Sequence, residues 1–188
     1  MIYWEHFQKT ADRRYFMEKE EIRREFWERL KTAEKVLIGI GKEWDTGSGK
    51  SRDEVKAAAE SLKKVTGGKD RYVITTLSGD ALDALEPFAG HMAAPLDVSL
   101  TEEQWDAYMK WLSFTLNRNT LLLELGEDFS HPSLIRFPFE KTAMLNQKAF
   151  LFRVNQKFCQ IPETLKGKAV SVPEDSVAFV AGLLEEQG

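Results

Sequence analysis

Cysteine is nearly absent: Cys159 is the single one in 188 residues. An internal disulfide is therefore excluded, and no cysteine pair has the spacing of a zinc site, so no zinc and no other metal is expected. Basic stretches are lacking too. The 26 basic and 30 acidic residues are mixed along the chain and sum to a net charge of −4. Without a basic stripe to track a phosphate backbone, nucleic acid is not an expected partner. No apolar run is long enough to span a bilayer, and residues 1–16 carry Glu5, Asp12, Arg13 and Arg14 where a secretory signal would have an apolar core. The expected location is the cytoplasm, with no membrane partner. Internal repeats, low-complexity tracts and long linkers are also missing, which argues against an array or two tethered domains.

What is present suits one domain over residues 1–188, with 1–33 as an amino-terminal helical segment: 43% of residues are apolar, enough for an ordinary core. From Lys19 to Ala33 the residues Ile22, Phe26, Trp27 and Leu30 recur at helical spacing. Val36-Leu37-Ile38-Gly39-Ile40-Gly41 then reads as a buried parallel strand entering a ligand-facing turn, and as the central strand. Arg52 to Lys64 returns to helical character through Val55, Ala58, Ala59 and Leu62, closed by Thr66-Gly67-Gly68. Tyr72 to Thr76 is a second strand, followed by a short helix through Leu82 and Leu85 that Pro87 stops. Ser99 to Glu102 has capping-box spacing ahead of a helix presenting Trp105, Tyr108, Leu112 and Leu116. Thr120 to Leu125, Ala149 to Val154 and Ala169 to Val172 read as three more strands, and Asp175 to Leu184 as a terminal helix. This alternation predicts a three-layer α/β Rossmann-like fold with a mostly parallel sheet of five or six strands.

In such a sheet ligands sit beyond the carboxyl ends of the strands, so the residues just after each strand matter most. Gly39-Ile40-Gly41 begins a dinucleotide fingerprint, but Trp44 stands where the third glycine belongs. Gly47-Ser48-Gly49-Lys50-Ser51 looks like the end of a P-loop, yet Trp44 again replaces the earlier glycine and the strand ends too early; a P-loop is not expected.

The most specific stretch is Leu121-Leu122-Leu123-Glu124-Leu125-Gly126-Glu127-Asp128-Phe129, continued through Ser130-His131-Pro132 to Ile135-Arg136-Phe137-Pro138-Phe139-Glu140. It resembles the late strand and adjoining loop of sirtuins, especially the bacterial branch associated with protein ADP-ribosylation. Phe152-Arg153-Val154-Asn155 is similar to the sirtuin strand ending in an asparagine near the adenosine ribose, and the segment around Ala169 and Val170 resembles the adenine-side loop. The likeness spans roughly residues 35–184, strongest in the carboxyl half. It implies a Rossmann half without the zinc module, binding NAD, ADP-ribose or a related nucleotide through Gly39, Gly41, Glu43, Thr75, Gly126, Asp128, Asn155 and Val170.

Departures from the family pattern limit the activity that the likeness implies. Glu43 stands where the family's first loop has a serine, and Leu77 where its catalytic asparagine belongs; Asp80 matches the motif's aspartate only across a one-residue insertion. Gly126-Glu127-Asp128 replaces a Gly-Thr-Ser loop. Efficient lysine deacylation is therefore not expected. Any remaining reaction would be NAD hydrolysis or NAD-dependent ADP-ribosyl transfer, with Asp80 or His91 as the polar group near the ribose. Glu43 and Asp128 would also place negative charge by a pyrophosphate, and two like charges at 4 Å repel by roughly 4 kcal/mol at an effective dielectric near 20. A helix amino terminus offsets about 0.3 to 1 kcal/mol of such a cost.

Alternatives stand beside each of these. His91 is chemically suited to act as a general base, and equally to cap a helix or sit in a loop; His131 is a second candidate to approach a ribose. Glu43, Asp80, Glu127 and Asp128 could converge as paired carboxylates for chemistry at an N-glycosidic bond, whereas the simpler reading makes Glu43 and Glu127 helix-end or solvated charges. Arg136 could bind a phosphate or pair with Glu140, four residues on. Trp44 could wall a pocket or fill it. Cys159 has no obvious activating neighbour beyond Lys157. A non-catalytic interaction or structural protein remains the second class of function, and Trp4, Phe7, Tyr15 and Phe16 would suit a homodimer contact.

Overall fold

The structure, a computed structural model, describes residues 17–185. The amino-terminal aromatics Trp4, Phe7, Tyr15 and Phe16, and the homodimer contact expected of them, lie outside the described residues. Six strands form one sheet in the order β3-β2-β1-β4-β5-β6, and every neighbouring pair is parallel. The strands are β1 (Lys35–Ile40), β2 (Asp70–Thr75), β3 (Met92–Ala93), β4 (Thr120–Leu125), β5 (Ala149–Val154) and β6 (Ala169–Val172). The helices are α1 (Lys19–Thr32), α2 (Arg52–Val65), α3 (Glu102–Ser113), α4 (Arg136–Leu145) and α5 (Ser176–Glu185).

Alternate strand residues feed two cores, as parallel strands covered on both faces require. Val36, Ile38 and Ile40 of β1 and Leu121, Leu123 and Leu125 of β4 pack with Phe26 of α1, Leu62 of α2 and Phe179 of α5. Leu37, Leu122 and Leu151 face the other way, onto Tyr108 of α3 and Phe139 and Ala143 of α4. This is the expected three-layer Rossmann-like fold. Phe26 anchors the first layer through edge-on contacts with Phe152 and Phe179, at 5.6 and 5.9 Å between centroids. No helix among the described residues is long and apolar enough to cross a membrane.

Local structure departs from the sequence expectations in four places. The capping box before α3 is Thr101 with Gln104, not Ser99 with Glu102; Ser99 instead donates its N–H and hydroxyl to Asp97. Leu116, expected on the buried face of α3, lies past its end and is exposed. The segment through Leu82 and Leu85 is a 3-10 helix, Gly79–Phe88, that contains Pro87 rather than ending before it. Residues 136–140, which the resemblance assigns to the loop after the strand, belong to α4; Pro138 fits its first turn, where the missing N–H has no helical partner to lose.

Candidate functional site at the carboxyl edge of the sheet

The strand order reverses between β1 and β4, so the loops after these strands flank the crevice where open α/β sheets take ligands. Gly41 and Gly126 begin those loops. The two loops are tied together by backbone hydrogen bonds: Gly41 N–H donates to the Leu125 carbonyl, and Glu43 N–H donates to the Gly126 carbonyl. A side chain on either glycine has no room. A Cβ on Gly41 would lie 2.3 Å from a carboxyl oxygen of Glu127, and one on Gly126 would lie 2.5 Å from Cβ of Glu43 and 2.6 Å from Oγ of Ser176. Gly126 also holds φ at +69°, a conformation that favours glycine.

Glu43 reaches from the β1 loop across to the far side of the crevice. Its Oε1 accepts the Gln156 N–H at 2.8 Å, and its Oε2 accepts the Ser176 N–H at 2.9 Å and the Ser176 hydroxyl at 2.7 Å. Ser176 opens α5, so the carboxylate sits among the unpaired donors of a helix amino terminus, where anions are favoured. The helix-end reading of Glu43 holds, with the refinement that the helix belongs to a distant part of the chain. Trp44 is fully buried beneath it, in the core with α1, α2 and α5, and its indole N–H donates to Ser176 Oγ at 3.0 Å. Trp44 is thus a core residue that helps aim Ser176.

Glu127 corrects the expectation of a solvated or helix-end charge. It is 1% exposed. Its Oε2 accepts the Thr76 hydroxyl at 3.0 Å, while its Oε1 is buried without a hydrogen-bond partner. Burial pushes the carboxyl up to about 8; the Thr76 hydrogen bond pulls it down, and the Asp128 and Glu124 charges push it up. The backbone of the same residue is firmly held: its carbonyl accepts Nδ2 of Asn155 at 2.8 Å and Nη2 of Arg136 at 3.2 Å.

Arg136 belongs to a buried ionic cluster under this loop, not to the expected pair with Glu140. Its guanidinium lies 3.2 Å from Glu124 Oε1 and donates to the Phe158 carbonyl at 2.8 Å. Glu140 instead pairs at 2.7 Å with Arg153, which also reaches Glu124 at 2.9 Å. Glu124 and Arg153 occupy facing register positions on β4 and β5. Burial pushes the Glu124 carboxyl up and the neighbouring Arg153 and Arg136 charges pull it back. Arg136 also lies over the ring of Phe129, 4.4 Å from its centroid.

The other expected site residues divide. Asn155 is buried at the end of β5, its Oδ1 accepting the N–H groups of Lys157 and Phe158, so it shapes the loop. Asp128 folds onto its own turn, accepting the N–H and hydroxyl of Ser130. Thr75 is buried and spends its hydroxyl on the Ile40 carbonyl, bridging β2 to β1. Leu77, in the asparagine's place, is buried in the core. Gly39 lies inside β1, where Ile135 and Phe139 of α4 close over it: a Cβ would come within 2.4 Å of Ile135 Cγ2. Gly39 thus lets α4 pack against the sheet. Val170 lies within β6, the strand expected from the sequence, and packs in the core.

Asp80 and His91 are not brought together with these groups. Asp80 is exposed on the 3-10 segment and has no hydrogen bond to Glu43, Glu127 or Asp128. His91 precedes β3; its carbonyl accepts the Val73 N–H and its exposed ring stands edge-on to Tyr72, well back from the carboxyl edge. His131 is exposed in the loop after β4. Of the four acids considered for convergence, Glu43 and Glu127 line the crevice, Asp128 borders it and Asp80 is exposed on the segment after β2. Thr76 and Gln156 fall in the segments 75–80 and 155–157 that the sequence marks as ligand-facing, without a role of their own, and Ser176 was missed. Ser176, beside the helix-starting Asp175, carried a faint signal. Among the described residues no group of three or more His, Cys, Asp or Glu side chains could hold a metal ion.

No protein-family model matches the chain, and no curated protein matches it. Among solved structures it is similar to the sirtuin Sir2Tm, described as bound to a propionylated peptide. The TM-score is 0.51 and the identity 12%, covering 88% of this chain and 98% of that one. At that identity the likeness concerns the fold: a sirtuin-like Rossmann fold.

Proposed function

We propose that this chain is a sirtuin-like domain that binds NAD, ADP-ribose or a related nucleotide at the carboxyl edge of β1 and β4, without lysine deacylase activity. One observation carries the reading: Ser176 N–H, Ser176 Oγ–H and Gln156 N–H converge at the switch point on an anionic group, the Glu43 carboxylate. Those are the donors that suit a phosphate oxygen. In the liganded state they would hold a phosphate, with the close backbone of Gly41 and Gly126 beside it, and Glu43 would be displaced. Burial favours the neutral form of Glu127, so it adds little to the charge penalty expected of Glu43 and Asp128. Leu77 in place of an asparagine and the placing of His91 back along β2 support the loss of deacylation.

A second reading has its own observation. The same Glu43 contacts, resting on the fully buried Trp44, would make the nest a permanent internal bond and the protein a non-catalytic scaffold. Thermal unfolding with millimolar NAD, ADP-ribose and nicotinamide, with and without magnesium, separates the two. A ligand at one hundred times its dissociation constant stabilises the fold by about 2.7 kcal/mol. A shift with the phosphate-bearing ligands supports the nucleotide reading, and Glu43→Ala should enlarge it by freeing the nest. No shift in either protein supports the scaffold.

A further inference from the structure

The amino edge of the sheet, opposite the crevice, carries an exposed apolar patch. The chain leaving α3 turns through residues 114–119 into β4, and α4 ends at Leu145 just ahead of β5. The side chain of Asn146 joins these two corners, donating to the Thr115 and Arg118 carbonyls at 2.8 and 3.0 Å. Around this join Phe114, Leu116, Met144 and Leu145 are each at least half exposed. Single exposed apolar residues are ordinary, but four large ones about one hydrogen-bonded join form the kind of patch that marks an interaction surface. A depression of about 340 Å³, lined by Glu34, Lys35, Asp70, Phe114 and Arg118, opens beside it.

Three lysines flank the patch. Within the depression acids and bases match, since Arg118 pairs with Glu34 at 3.0 Å and Lys35 with Asp70. Outside it stand Lys110, one turn before Phe114 on α3, Lys141, one turn before Leu145 on α4, and Lys148, two residues past Asn146. All three are exposed, and none forms an ion pair among the described residues. Lys168 adds a fourth cation, its ammonium donating to the Ala143 and Asn146 carbonyls at the end of α4. A chain of net charge −4 therefore presents a basic collar around its amino-edge apolar patch.

We propose that this patch is the docking surface for an acidic amphipathic helix of a partner protein, its apolar face seated on Phe114, Leu116, Met144 and Leu145 and its flanking carboxylates on Lys110, Lys141 and Lys148. Charge chooses among the occupants. A second copy pressing the same patch against this one would bring two lysine collars together. An anionic membrane is a plane that meets the whole acidic chain, whereas a helix about 10 to 12 Å across covers only the collar. Charges further than about 8 Å away are largely screened from that helix at physiological salt. The depression beside Phe114 offers one side chain of the helix a socket.

The test is selection of random phage-displayed peptides of about 16 residues on the intact chain, with counter-selection on the double variant Leu116→Ser, Leu145→Ser. Enriched peptides should carry Asp or Glu beside apolar residues spaced i, i+4 and i+7. The most enriched one, made synthetically, should bind the double variant about tenfold more weakly than the native chain, and should also weaken as salt is raised. Lys141→Glu keeps every apolar residue in place; it should weaken the same peptide and improve binding of its Glu→Lys counterpart. All three substitutions fall on exposed side chains, so thermal unfolding should stay close to native. Absence of enrichment, enrichment of basic peptides, or equal binding to native and variant chains overturns the proposal. So does binding to phosphatidylserine vesicles, or self-association in sedimentation, that the double variant abolishes, since either gives the patch a different occupant.

Discussion

Two buried acids on one strand-and-loop unit, Glu124 and Glu127, meet different treatment. Glu124 has two guanidinium groups on Oε1, at 2.9 and 3.2 Å, and no hydrogen-bond partner on Oε2. Glu127 has only the Thr76 hydroxyl on one oxygen and nothing on the other. The first region, at the seam of β4, β5 and α4, is braced by charge pairs, although Glu124 Oε2 and Arg136 Nε are buried there without a hydrogen-bond partner. The second, at the β1–β4 crevice, is short of a partner too. The contrast teaches that buried polar atoms without partners occur in both regions, and that what sets the crevice apart is an acid held by a hydroxyl rather than by guanidinium groups.

Breaking the braced region should have the largest effect. Arg153→Met removes the partner shared by Glu124 and Glu140 and should destabilise the fold by about 3 to 5 kcal/mol in chemical denaturation, since it strands a buried charge. A loss under about 1 kcal/mol would show that the seam is not held by this pair.

Glu127 should respond in the opposite sense. Its carboxyl is raised from 4.5 to about 8 in the folded protein, so the folded state holds a proton that the unfolded state releases. Its contribution to stability is whole below pH 4.5 and is lost as pH rises through 8. Glu127→Gln should therefore raise the melting temperature relative to the native protein at pH 8.5, by a free energy on the order of 2 kcal/mol. The advantage should shrink towards pH 5. An equal difference at both pH values would mean that Glu127 does not titrate in this window.

The glycines between the two regions come next. Gly39→Ala should cost about 1 to 3 kcal/mol by forcing α4 off the sheet. The same change at Gly126 adds left-handed backbone strain to its clash with Glu43 and Ser176. For the nest itself, Glu43→Ala should cost about 1 to 2 kcal/mol by leaving the Ser176 and Gln156 donors without their partner. The smallest effect is expected at the edge residues: Asp80→Ala and His91→Ala should each change stability by less than about 0.5 kcal/mol and leave nucleotide affinity unaltered. A large loss of affinity in either would move the site away from the β1–β4 crevice.

Much of the fold was legible in the residues. Val36 to Gly41, Leu121 to Leu125 and Ala149 to Val154 announce buried parallel strands because nearly every residue in them is apolar, leaving no solvated face. Strand β3 escaped because a two-residue strand has no period to read, and α4 because the resemblance carries its first residues as loop, although Pro138 in the first turn of a helix is harmless. The site was legible as a location, since ligands bind beyond the carboxyl ends of strands, and Gly41, Glu43 and Gly126 stand there. Which acids are buried was not. The burial of Glu127 depends on Gly41 lacking a side chain on a strand far away in sequence. The Glu124–Arg153 pair did leave a trace: a lone acid and a lone base at the same position of two successive apolar strands.

The most direct measurement is the calorimetric titration of the native protein with ADP-ribose at pH 6.5, below the titration of Glu127. Saturable one-to-one binding that strengthens in Glu43→Ala is the result expected of a nucleotide site whose phosphate nest is held by an internal carboxylate. Absence of binding by both proteins at millimolar ligand would contradict it, and would leave Glu43 as a permanent structural bond.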